Sequence, residues 1–259
     1  MRFFNTRFFG YALSCTGLAF ASFSALAQEP ALSEQHVFES MNGSFVAERV
    51  LDGITEPSAI TFLPDGKALV LQRNRGLVTM ADFSTAEKTN IEGLPNMLVF
   101  SSAGVHDIEL HPDHLTNGWI YISYSEGEEF HSTAVVDRFR LRGTQAIDVE
   151  RIFKADAYSE GAYHVAARMQ FFEGHLYMTI GDREHPRNGQ DRSNHAGTII
   201  RLTDDGKVPV DNPFVGMEAE DGEPAPRPEI WSFGLRDPMG VQVLPETGDL
   251  WIHEPGPQG

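Results

Sequence analysis

The chain has 259 residues, of which 41% are hydrophobic, 22% charged and 10% aromatic, which excludes collagen-like, low-complexity and wholly disordered architectures. Its 37 acidic residues outnumber 20 basic ones, for a net charge of −17. Such a surface repels phosphate backbones and anionic lipid, so it argues against nucleic-acid and membrane-surface partners.

The first 27 residues read as an address. Arg2 and Arg7 make a basic start, an apolar run follows from Phe8 to Leu26, and Ala25-Leu26-Ala27 supplies small residues three and one before a break. That pattern predicts a signal peptide cleaved after Ala27, hence a periplasmic or secreted protein with no membrane span left after cleavage. Cleavage removes two arginines and no acid, leaving 232 residues at a net charge of −19. The single cysteine, Cys15, leaves with it, so the mature protein has no disulfide or thiol chemistry. Residues 28–44 are polar and read as a flexible amino-terminal segment, and 45–259 as the folded domain.

Beyond residue 44, helical periodicity is scarce and short alternating segments dominate, which predicts an all-β fold. One hairpin recurs: Ala59–Leu63 turning at Gly66 into Ala68–Leu71; Ile108–Leu110 turning at Gly118 into Trp119–Ile122; Met169–Phe172 turning at Gly174 into Leu176–Thr179; and Val241–Leu244 turning at Gly248 into Leu250–Ile252. The turn glycines are 52, 56 and 74 residues apart, and the longest interval holds a Pro-, Glu- and Gly-rich insertion, 208–227, that reads as a surface loop. A hairpin recurring at this spacing is the mark of a β-propeller of four-stranded antiparallel blades, with about four blades in this chain. A β-sandwich with similar hairpins is the competing architecture.

Several segments, in consistent order over residues 45–259, resemble the soluble sugar dehydrogenases that use pyrroloquinoline quinone (PQQ), the glucose/sorbosone dehydrogenase family. Gly104-Val105-His106-Asp107-Ile108-Glu109-Leu110-His111-Pro112-Asp113 is similar to G-L-L-D-I-A-L-H-P-D, and His164-Val165-Ala166-Ala167-Arg168-Met169 to H-x-G-G-R-L. Leu176 to Asp182 resembles L-Y-V-T-I-G-D, and His195 to Leu202 resembles H-x-G-K-I-L-R-L. Gly234-Leu235-Arg236-Asp237-Pro238-Met239-Gly240 is similar to G-H-R-N-P-Q-G, and Glu254 to Gly259 to E-H-G-P-x-G. The resemblance implies a six-bladed propeller carrying PQQ and Ca²⁺ over its channel, with about the last two blades beyond residue 259.

It also implies a reaction and its residues. The family oxidises a sugar at the anomeric hydroxyl and passes hydride to the quinone, from which an external electron acceptor removes the electrons. His164 matches the base that takes the hydroxyl proton, Asp182 the carboxylate that orients it, and Arg236 the cation that polarises the quinone oxygen. Ser102 stands near the expected cofactor-side glutamine, and Asp237 stands where the family has asparagine. Gly256 and Pro257 match backbone carbonyls that hold calcium. Without the resemblance, His164 reads as an exposed loop histidine and Asp182 as a turn residue after Gly181. His164 just before one strand and Asp182 just after the next would meet at one rim of a hairpin. Ala166 and Ala167 replace two glycines, and their methyls are expected to crowd a flat cofactor. The alternatives to a dehydrogenase are a non-catalytic propeller that binds carbohydrate or protein, and a calcium-dependent lactonase on the same scaffold. The residues do not name the sugar, the acceptor or the oligomeric state.

Overall fold

The computed structural model describes residues 35–219 and 222–256. The predicted signal peptide, Cys15 and Pro257 lie outside the described residues. The chain divides into two units at residues 49 and 50. In the first unit, β1 (Gln35–Ser40) pairs with β2 (Gly43–Glu48) as an antiparallel hairpin. The composition of residues 28–44 predicts an irregular segment, but 35–40 and 43–48 are strands joined by a two-residue turn. Phe38 stacks on its cross-strand partner Phe45 with ring centroids 5.3 Å apart, and Ser40 Oγ donates to Gly43 O across the turn. Polarity hid the apolar pair Val37-Phe38 and the triplet Phe45-Val46-Ala47, whose pairing makes the hairpin.

The second unit is all-β. Its first sheet is β3 (Pro57–Phe62), β4 (Ala68–Gln72), β5 (Leu77–Asp82) and β6 (Glu87–Asn90). The second is β7 (Val105–Leu110), β8 (Ile120–Glu128), β9 (His131–Arg142) and β10 (Gln145–Lys154). The third is β11 (Ala166–Phe172), β12 (His175–Ile180), β13 (Thr198–Leu202) and β14 (Ile230–Phe233); β15 (Gly240–Val243) and β16 (Leu250–His253) pair as a fourth, two-stranded sheet. Each four-stranded sheet is an antiparallel meander in chain order. The four recurring hairpins are the first two strands of the four sheets. Gly66, Gly118, Gly174 and Gly248 turn them at φ of 87°, 72°, 77° and 74°, a left-handed conformation that glycine adopts without a Cβ clash.

The first strand of each sheet packs beside the first strand of the next, so β3, β7, β11 and β15 are the inner strands of successive propeller blades. Ser58 Oγ donates to Val105 O at 2.9 Å between β3 and β7. Met169 N donates to Asp107 Oδ2 at 2.7 Å between β11 and β7. Strand alternation then builds the core. On β8, Ile120, Ile122 and Tyr124 enter the cluster shared with Leu69, Leu71 and Val78 of the first sheet, while Tyr121 enters the cluster shared with Leu176, Met178 and Ile180 of the third. Both faces of the middle blade are therefore covered, and each fully buried isoleucine there contributes roughly 2 kcal/mol. Between β13 and β14 the described residues 203–219 and 222–229 lie outside any strand, anchored where Asn212 Nδ2 donates to Arg201 O and Pro228 O.

Candidate functional site

The hairpin of β11 and β12 assembles the central pair. Ala166 pairs with Ile180, and beyond that rung Gly181 N donates to Val165 O. The chain ends thus meet at one rim, with His164 on one side and Asp182 on the other. His164 Nδ1 lies 2.6 Å from Asp182 Oδ1. Asp182 is buried, and its Oδ1 also accepts the Glu184 backbone N–H at 2.9 Å. The carboxylate assigns the proton to Nδ1, which leaves Nε2 as the ring's acceptor nitrogen. The His164 side chain keeps 18% of its surface exposed, so that nitrogen belongs to a group solvent and ligand reach.

The approach is held by unusual backbone. His164, Ala166 and Ala167 have φ of 45°, 55° and 59°. The two alanines at glycine positions of the resemblance keep the left-handed conformation, and both are buried in the protein. The register slips between Ala166 and Met169, which marks a bulge where β11 begins.

A second segment closes the site from the side of β15. Arg236 O accepts the backbone N–H of Asp182 at 2.6 Å. Glu254 Oε2 accepts both the Arg236 N–H at 2.7 Å and the Asp237 N–H at 3.2 Å, tying the 234–239 loop to the end of β16. The structure therefore brings His164, Asp182, Arg236 and Asp237 together. Burial pushes the Asp237 carboxyl up, with Asp182 adding and with His164, Arg236 and Arg183 opposing. Ser102 lies in the turn before β7, and no hydrogen bond among the described residues joins it to this group. Gly256 is exposed just beyond β16.

Two arginines carry roles that sequence reading missed. Arg168 Nη1 donates to Ser58 O at 2.9 Å and to His106 O at 2.7 Å, so one guanidinium of β11 ties β3 and β7. Arg183, at φ 59°, is fully buried, and its Nε and Nη1 have no partner. Its Nη2 reaches Ser132 O at 3.4 Å. Burial pushes its pKa down to about 10, against the pull of Asp237, Asp182 and Glu184. An arginine after Gly-Asp at a strand end reads as solvated, and no local signal marks it as buried.

The glucose/sorbosone dehydrogenase family profile matches residues 54–259. The chain belongs to the glucose/sorbosone dehydrogenase family. It is 29% identical over 216 residues to the aldose sugar dehydrogenase YliI of Escherichia coli, covering 82% of this chain and 57% of that protein. It is 22% identical over 263 residues to quinoprotein glucose dehydrogenase B of Acinetobacter calcoaceticus, covering 90% of this chain and 53% of that one. The crystal structure of the soluble E. coli aldose sugar dehydrogenase in its apo form superposes with a TM-score of 0.74 at 30% identity, over 81% of this chain and 60% of that one. The PQQ-bound aldose sugar dehydrogenase of Streptomyces coelicolor shares the fold at a TM-score of 0.66 and 24% identity, over 86% of this chain and 60% of that one. The chain thus spans between half and two thirds of the length of these relatives.

Within this family, the donor set at the rim suits a polyanionic quinone. It offers the partly buried Arg236 guanidinium and the positive field of Arg183, whose nitrogens are unsatisfied. The His164 imidazole stands beside them. Asp182 is engaged by the His164 ring, and Asp237 is a second carboxylate, whose charge opposes such a ligand. Among the described residues no cluster of three His, Cys, Asp or Glu side chains could hold a metal ion. A calcium ion here would draw on backbone carbonyls such as that of Gly256.

Proposed function

We propose that this protein is an exported sugar dehydrogenase that oxidises the anomeric hydroxyl of an aldose, with PQQ and Ca²⁺ as its cofactors and an external electron acceptor. The observation that carries this reading is the 2.6 Å contact between His164 Nδ1 and Asp182 Oδ1 at the rim of the inner strands. The basic and apolar amino terminus supports export to the periplasm or beyond the cell. Among the described residues no helix is long and apolar enough to cross a membrane.

Oxidation of an anomeric hydroxyl to a lactone removes a proton from oxygen and a hydride from carbon. His164 Nε2 takes the proton, because Nδ1 is committed to Asp182 and a neutral imidazole is basic near neutral pH. Asp182 holds the ring in that tautomer and stabilises the imidazolium once the proton arrives. Burial strengthens this interaction, since little water screens it. Arg236 supplies a cation that would favour the negative charge developing on the acceptor as hydride arrives. Bound PQQ supplies the two-electron acceptor.

The test is to add PQQ and Ca²⁺ to the purified protein and follow dye reduction by glucose and other aldoses. Sugar-dependent reduction that needs both additions is expected. Lactone hydrolysis without PQQ, or calorimetric sugar binding with no turnover, would replace this reading with a hydrolase or a binding propeller.

A further inference from the structure

We propose that the cavity between the first and second blades, on the face away from His164, is a binding site for an amphipathic monoanion, a small molecule with an apolar chain and one carboxylate. The site is separate from the His164–Asp182 couple, and its test does not depend on the reaction.

The fold places the cavity. Ser58 at the start of β3 bonds to Val105 at the start of β7, and Met169 of β11 bonds to Asp107 of β7, so the inner strands of the three blades run in the same direction. His164 and Asp182 sit at the open end of the β11–β12 hairpin, and Gly174 turns at its other end. The equivalent turns of the first two blades, at Gly66 and Gly118, therefore lie on the face opposite His164. The cavity forms there, between the β3–β4, β7–β8 and β9–β10 turns, with a volume of about 590 Å³. Small-molecule sites occupy roughly 300–1,000 Å³.

Its wall is tied across the blades. Glu92 N donates to Thr144 O at 3.0 Å and Ala146 N to Glu92 O at 2.8 Å, so backbone pairing stitches the end of the first blade to the start of β10. Gly93 permits this approach, since a Cβ there would lie 2.8 Å from Ala146 O. Thr144 belongs both to this strap and to the cavity lining. Leu63, Met80 and Leu141 pack partly buried against the core of the two blades, and with Ile147 and the fully buried Ile120 they make the interior apolar. An apolar chain entering it withdraws from water a surface that the protein alone leaves partly exposed.

The polar groups select the head group. Lys67 and Arg140 are the cations of the lining and Asp65 is its carboxylate. With histidine counted neutral, the lining therefore carries one positive charge in excess, on a chain whose net charge is −17. Arg140 is held in place beforehand. Its Nε donates to Asn117 O at 2.7 Å, its guanidinium lies 3.8 Å from the Trp119 ring centroid, and its stem crosses Gly118, where a Cβ would touch it at 3.6 Å. Arg140 Nη1 pairs with Asp148 and Lys67 Nζ with Asp65, both at 3.1 Å, and all four side chains are more than a third exposed. Exposed pairs of this kind contribute little, so a carboxylate anchored by its chain can share either cation. A single excess charge suits a monoanion. A phosphate or polyanion would meet Asp65 and Asp148 with negative charge left over.

The experiment is a methyl NMR titration of the full chain with sodium octanoate, 1-octanol and sodium acetate, with K67M and I147W beside the parent. Octanoate is expected to bind with a Kd below about 1 mM and to shift the methyl signals of Leu63, Leu141 and Ile147. Octanol is expected to bind about tenfold more weakly and acetate not measurably, because chain and head group both contribute. K67M is expected to weaken octanoate about fivefold and to leave octanol within about twofold. I147W, whose indole fills the cavity, is expected to abolish binding of both. No shift with octanoate up to about 10 mM overturns the proposal, as do shifts confined to other methyl groups. Octanol binding as tightly as octanoate, or octanoate affinity unchanged in both variants, overturns it as well. If I147W does not fold, K67M, at a surface turn, decides: unchanged octanoate affinity overturns the site, and a loss of about fivefold with octanol unmoved sustains it.

Discussion

Gly181 and His164 approach so closely that a Cβ on residue 181 would lie 2.1 Å from the His164 carbonyl oxygen. No real Cβ tolerates that distance, so Gly181 is what lets the start of β11 and the end of β12 close on one another. Gly181→Ala is expected to force the strands apart, to cost about 1–3 kcal/mol as overpacking, and to lengthen the His164–Asp182 contact. Thermal melting and the His164 side-chain NMR signal check both effects.

The couple itself predicts a division of labour. His164→Ala is expected to lower turnover by about 10²–10⁴-fold while PQQ binding is largely retained, because it removes the proton acceptor and leaves the cations in place. Asp182→Asn is expected to reduce turnover as well, since the ring loses the acceptor that fixes its tautomer. Dye-reduction kinetics alongside fluorescence titration with PQQ separate catalysis from binding. Full turnover in His164→Ala would remove it as the base.

Asp237→Asn is expected to tighten PQQ binding. The cofactor carries carboxylates, and a like charge at 4 Å costs up to about 4 kcal/mol at an effective dielectric near 20. Arg236 and Arg183 offset part of this, so a gain of about tenfold in affinity is the expectation, equivalent to about 1.4 kcal/mol. Equal or weaker PQQ affinity in the variant would count against a repulsive role for this carboxylate.

Arg168 is the structural counterpart of the site. Its Nη1 serves carbonyls of β3 and β7 at once, so Arg168→Met leaves two partly buried acceptors short of a donor. A loss of roughly 2–4 kcal/mol is expected, with a lower urea midpoint. Arg168→Lys, which keeps the charge but not the planar fork, is expected to recover only part of it.

Glu109, on inner strand β7, gives the fold a pH signature. Burial, with Asp107 adding, pushes its carboxyl up to about 7 from an ordinary 4.5. Its folded value lies above its unfolded one, so the native state binds the extra proton between these values. Stability from this group is present at low pH and is lost as pH rises from about 4.5 to about 7. Glu109→Gln should therefore match the parent near pH 4 and exceed it above neutrality by up to about 3 kcal/mol. His106 acts in the opposite sense. Its imidazole is pushed by burial, then by Arg168, Arg183 and Arg73, to about 3 from 6.5, so its contribution is lost as pH falls below about 6.5. Melting curves of parent and Glu109→Gln at pH 5 and 8 test the balance. A constant difference across that range would rule out Glu109 as its source.

Much of this is legible in the amino-acid sequence. Alternation and the four turn glycines located the leading hairpin of every blade, because a period of two and a left-handed turn are local properties of the chain. The same locality placed His164 before one strand and Asp182 after the next. The outer strands were harder to read. β6, with Glu87 to Asn90 all exposed, and β10, broken by register shifts, carry no clean alternation, so they do not repeat visibly along the chain.

The amino-acid sequence by itself determined the class of fold, the blade rhythm and the residues that resemble a quinone-dependent sugar dehydrogenase. These follow from patterns within a few residues of one another and from ordered motifs. Only the tertiary structure decided which charges are buried and what they face. It hid Arg183 from water, tied three inner strands to Arg168 and set Asp237 beside Asp182 through the Arg236 carbonyl. Burial and charge pairing arise between segments far apart in the chain, where no local pattern records them, and in a low-dielectric interior those pairings govern the proton chemistry.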